Sequence, residues 1–130
     1  MAEISPKQRD VAFIAVAAGI EVGTGVLLIV RPSLFVWLLF GAEVPPTGEA
    51  LGRLAGFALL ALALACWPRS ENAVQSIAVL RALLLFSLLT STCLFYLGLG
   101  GGAAGALLWP ACAVHAGVSV FLGAGLLTRS

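Results

Sequence analysis

Three ionisable side chains fall inside long apolar runs of this 130-residue chain: Glu21 in AAGIEVGTGVLL, Arg81 in IAVLRALLLF and His115 in PACAVHAGVSVF. A carboxyl, a guanidinium and an imidazole can between them exchange protons or hold a charged or hydrogen-bonding solute. The imidazole could also contact a haem or a quinone. Thr24, three positions after Glu21, adds a hydroxyl on the same helical face. Arg53 follows Glu49 by four positions, the spacing of a local ion pair on a helix.

Other chemistries find no residues to carry them. The three cysteines, Cys66, Cys93 and Cys112, are odd in number and lack metal-ligand spacing, so the expectation is buried free thiols and no metal site. One histidine excludes bis-histidine haem ligation within a chain, although a dimer would supply two. The run GLGGGAAG has no preceding strand and no partner lysine, so it is no phosphate loop, and no Ser/His/Asp arrangement is visible. No catalytic residue is assigned. Seven basic and six acidic residues leave a net charge of +1, too balanced for a nucleic-acid partner.

The elements that must place these groups are set by composition. With 61% hydrophobic and 10% charged residues, the chain is far less charged than a soluble protein, and its expected surroundings are a lipid bilayer. Val11 to Val30 is apolar but for Glu21 and Thr24 and ends at Arg31 and Pro32; as a helix it is long enough to cross. It exceeds the apolar core of a secretory signal, and further spans follow, so it is read as retained. Further spans are expected at 49–67, 74–97 and 106–127. Residues 33–40 (SLFVWLLF), bracketed by Pro32 and by Gly41, Pro45 and Pro46, are too few to cross. They are read as an interfacial or re-entrant half-turn anchored by Trp37. Residues 98–105 read as a flexible turn and 68–73 as a tight connection.

Backbone amides must be satisfied internally in lipid, so the expected fold is all-α. It is a single polytopic membrane domain, an antiparallel four-transmembrane-helix bundle with a short interfacial segment after the first helix. Lys7, Arg9, Arg69 and Arg129 fall on one side of such a bundle, against Arg31 and Arg53 on the other, which predicts an inner-membrane protein with both termini cytoplasmic.

Counting about 1.5 Å per residue puts Glu21 about 15 Å deep, His115 roughly 9 to 14 Å from the outer surface and Arg81 about 10 Å from the inner one, so the three could share a layer. Ala17, Ala18, Thr24, Gly25 and Leu28 flank Glu21 with small side chains that let another helix approach, so Glu21 is expected to face inward. There it carries its proton or meets a cation, Arg81 being one candidate. Each group also has a plainer reading. Arg81 can snorkel to the headgroups, Arg53 can pair with Glu49 at the surface, and His115 can be a neutral buried histidine. Steps of four small residues recur at Ala15, Gly19 and Gly23, at Gly52 and Gly56, and at Ala113 and Gly117, a sign of close helix packing. Trp67 and Trp109, each before a proline, suit an interfacial aromatic belt.

IEVGTG, residues 20–25, resembles the first-helix glutamate motif of small multidrug resistance exporters, with the Glu to Gly-Thr spacing one residue shorter and without that family's later aromatic pattern. The layout of a first helix with glutamate and glycines, then RPSLFVWLLFG and GRLAGFALLALALACW, is similar to that of bacterial DoxX-like four-helix membrane proteins. That resemblance implies a fold, and a group that includes subunits of thiol or quinone redox complexes. Three functions are therefore in view. The first is an accessory or assembly subunit, or a homo-oligomer, without catalytic machinery or cofactor of its own. The second is a proton-coupled transporter of a small hydrophobic or cationic solute using Glu21, and the third a redox-complex subunit contacting haem or quinone near His115.

Overall fold

Prolines punctuate the chain where helices can begin. The computed structural model describes residues 6–67 and 77–127, and they form five helices: α1 Pro6–Val30, α2 Pro32–Phe40, α3 Pro46–Cys66, α4 Ile77–Leu99 and α5 Leu108–Leu127. Pro32 and Pro46 each stand first in a helix, where the missing N–H leaves no bond unmade. No strand occurs among the described residues. Four stretches are long and apolar enough to cross a membrane: Val11–Val30, Pro46–Cys66, Ile77–Leu99 and Leu108–Leu127. The connection at 68–73, residues 74–76 and Arg69 and Arg129 lie outside the described residues.

The helices associate in two pairs, α1 along α3 and α4 along α5. Glycine makes the first pairing close: a Cβ on Gly56 would lie 2.7 Å from the carbonyl oxygen of Gly25, and one on Gly25 2.9 Å from that of Gly56. One turn away, Gly52 admits Pro32 of α2. The stripe Ala15, Gly19, Gly23 does not serve this contact, since nothing lies within 4 Å of a Cβ built on Gly19 or Gly23.

One apolar core joins the pairs and a second joins α2 to the α4–α5 pair. The first takes Ile14 and Ala17 from the first half of α1, Cys66 from the end of α3, Leu80 and Leu83 from the start of α4, and Val118 and Leu122 from the later part of α5. At the other end Leu39 of α2 meets Leu94, Ala103, Leu108 and Cys112. Outward, Leu51, Leu54, Phe57 and Leu64 of α3 and Leu85, Leu89 and Phe95 of α4 are exposed, an apolar surface compatible with lipid.

Residues 33–40 are not a half-turn. Pro32 stops α1 by forcing Arg31 out of helical geometry (φ −140°, ψ 66°) and opens a nine-residue helix. Gly41, at φ 70°, ends it and donates its N–H to Trp37 O at 2.8 Å. The glycine-rich segment is not a free turn either. Gly98 belongs to α4, while Ala104 N–H donates to Phe40 O at 3.0 Å and Leu107 N–H to Leu38 O at 2.8 Å, satisfying carbonyls that the end of α2 leaves open. This docking delays the start of α5 to Leu108. A Cβ on Gly105 would collide with the backbone of Leu38 and Leu39, so glycine is required there.

Candidate functional site

Between the two helix pairs, and between the two cores, lies a cavity of about 630 Å³. That is within the range of small-molecule sites. Its walls come from every helix and are almost wholly apolar, with Phe35 and Phe40 of α2 as a roof and Phe86 of α4 on one flank. Ile20 and Val114 on the α1 and α5 side, and Leu89 on α4, are exposed at its rim, so it opens sideways between helices.

Glu21 and His115 both line it. Glu21 is 5% exposed on the face of α1 that also buries Ala17, Ala18, Gly25 and Leu28. The close α1–α3 crossing at Gly25, one turn on, fixes this face inward. His115 sits on α5 with Nδ1 4.0 Å from Glu21 Oε1, and the edge of its ring meets Phe86 at 5.7 Å between centroids. A separation of 4.0 Å suits an ion pair with a protonated imidazole but exceeds a direct hydrogen bond. Thr24 lines the cavity one turn from Glu21, and Thr90 and Cys93 face it from α4. Thus an apolar chamber carries an acid and an imidazole in its wall, groups whose chemistry suits a polar or basic partner.

Arg81 does not join this layer. It is exposed on α4, six residues before Ser87, hence about 9 Å along the axis toward the core around Leu80. No hydrogen bond or ion pair links it to Glu21 among the described residues. Arg53 is distant in role as well: it pairs with Glu49 at 3.4 Å, both side chains partly exposed. No three His, Cys, Asp or Glu side chains converge on a metal position among the described residues.

Sequence reasoning passed over Ser87, Thr90, Phe86 and Phe35. The signal for the serine was available: Leu80, Leu83, Ser87, Ser91 and Leu94 recur at three- and four-residue steps and form the buried seam of α4. Small polar residues on such a seam mark a helix interface.

No protein-family model, curated protein or solved structure matches the chain.

Proposed function

We propose that this is a polytopic inner-membrane protein that binds and carries a small, mainly apolar solute with one basic group, exchanging it for a proton at Glu21. The observation that carries the reading is the 630 Å³ apolar cavity ending on a buried carboxyl. A carboxylate in such surroundings is costly unless it holds a proton or a cation. Proton and solute therefore compete for the same oxygens, and that competition is the coupling. The lateral opening leads to acyl chains, the phase in which such a solute dissolves.

The bundle is read as antiparallel with both termini cytoplasmic. In support, one core combines the first parts of α1 and α4 with the last parts of α3 and α5. At the other end, α2 is hydrogen-bonded to the α4–α5 connection. Lys7 and Arg9 before the first crossing agree with the proposed orientation.

The test is proton release on solute entry. The chain is reconstituted in liposomes with a pH dye and offered 1-aminoadamantane, an apolar cage with one ammonium group, and separately a short-chain quinone. Wild type should move protons in response to the amine, and Glu21→Gln should not, while keeping its helicity. If wild type moves no proton with the amine, the carrier reading is wrong; tight binding of the quinone alone would support the redox-subunit reading. A second reading, an assembly subunit or homo-oligomer, is favoured by the outward stripe Ala15, Gly19, Gly23, which offers a flat face to another helix. Recovery of a stable larger complex from native membranes, with no solute effect, would select it.

A further inference from the structure

Ser87 is 1% exposed, and its Oγ has no hydrogen-bond partner. Three hydroxyls elsewhere in α4 and α5 behave otherwise. Ser91 and Thr92 donate to Leu88 O at 3.1 and 2.8 Å, and Ser119 donates to His115 O at 2.8 Å. Returning a proton to the helix's own carbonyls is the ordinary outlet for a serine in an apolar helix, and Ser87 does not use it. A buried hydroxyl without a partner demands an explanation.

The surroundings of Ser87 supply one. A gap of about 10 Å³ is lined by Ser87, Glu21 and His115, with Ala17, Leu83 and Val118 on its inner side and Ile20 and Val114 where it borders the large cavity. A space of that order accommodates one water molecule, and the three polar side chains meet the two to four partners a buried water needs. The spacing of the other two groups agrees independently. Nδ1 of His115 and Oε1 of Glu21 are 4.0 Å apart, too far to bond directly. Two hydrogen bonds of about 2.8 Å would close that span with an apex of about 90°.

We propose that one buried water sits between Glu21, Ser87 and His115, hydrogen-bonded to all three, and that Ser87 is the positioning residue that holds it. With the proton on Glu21, the carboxyl donates to the water, and the water donates to Ser87 Oγ and to Nδ1 of a histidine protonated on Nε2. The bridge is also a proton path. The carboxyl O–H bond breaks as the water gains that proton, and a water O–H bond breaks as an N–H bond forms at Nδ1. One proton has moved, leaving a carboxylate and an imidazolium across the same water. This inference rests on the geometry of three side chains and does not require that a solute be carried.

The full chain in lipid nanodiscs tests it, by a structure at a resolution that shows ordered water and by infrared spectra in ordinary and ¹⁸O water. Wild type should show density within hydrogen-bond distance of Glu21 Oε1, Ser87 Oγ and His115 Nδ1, with an O–H stretch that shifts on ¹⁸O substitution. Ser87→Ala, which removes a group with no protein partner and so leaves the fold intact, should lose both. Ser91→Ala, whose hydroxyl bonds within its helix, should keep both. A dry gap with Ser87 turned onto the carbonyl of Leu83, or a water that persists unchanged in Ser87→Ala, would overturn the proposal. A bridging water in a protein that moves no solute sinks the carrier reading alone; coupled transport across a dry gap sinks this one alone.

Discussion

Replacing Gly56 by alanine should loosen the α1–α3 pair, and Gly23→Ala supplies the control that isolates the cause. Both changes replace a helical glycine, so both gain the same intrinsic helix preference, about 1 kcal/mol. They differ in space. At Gly23 nothing lies within 4 Å of the new Cβ, whereas at Gly56 the Cβ arrives 2.7 Å from the Gly25 carbonyl oxygen and 2.8 Å from Ile29 Cγ1. Ordinary contact begins near 3.4 Å, so the two backbones must part by about 0.7 Å. Such overpacking costs about 1–3 kcal/mol, and that is the expected difference in unfolding free energy between the two variants. Unfolding in mixed micelles by titration with a denaturing detergent, followed by helicity, measures it. The displacement also has a functional reading: Gly25 is one turn from Glu21, so parting α1 from α3 shifts the carboxyl within the cavity wall it shares with His115. Solute binding should weaken in Gly56→Ala and not in Gly23→Ala. Equal stability of the two variants would show that α1 and α3 do not cross at these glycines.

Two further outcomes probe the cavity. Ala111→Phe places a ring in the chamber from α5 and should weaken binding of 1-aminoadamantane by tenfold or more, about 1.4 kcal/mol, at unchanged thermal stability; unaltered affinity in a binding titration would place the solute elsewhere. Cys93 is exposed and lines the cavity, whereas Cys66 and Cys112 are buried. A membrane-permeant maleimide should therefore label Cys93 first, and the amine should slow it, as read by mass spectrometry of the intact protein. Faster labelling of either buried thiol would contradict the packing described.

The four long apolar helices were legible because lipid-compatible length and proline punctuation are properties of the sequence itself. The inward face of Glu21 was also readable, from the small residues at three- and four-position steps around it. Azimuth elsewhere was not. Helices that are apolar on all sides carry no phase that says which face turns inward. The rise per residue gave Arg81 a depth near that of Glu21, but α4 sets it about 9 Å along the axis from Ser87 and on an exposed face, an offset that counting from an assumed span end does not reveal. Residues 33–40, too few to cross, read as a half-turn until Pro32 and Gly41 are taken together as the start and the left-handed stop of a helix. The docking of residues 104–107 onto α2 depends on backbone atoms, which no side-chain pattern announces.

One end of the chamber is plugged by the four-helix core and the other by α2 with its hydrogen-bonded connection. On the carrier reading proposed above, a guest must arrive from the side, through oil. Occupancy then follows the amount of guest dissolved in the membrane, so two compounds with identical grip on the carboxyl but different oil–water partitioning would fill the protein to different extents at the same aqueous dose. Selectivity in the cell would be set partly by the lipid, before any side chain of the protein is touched.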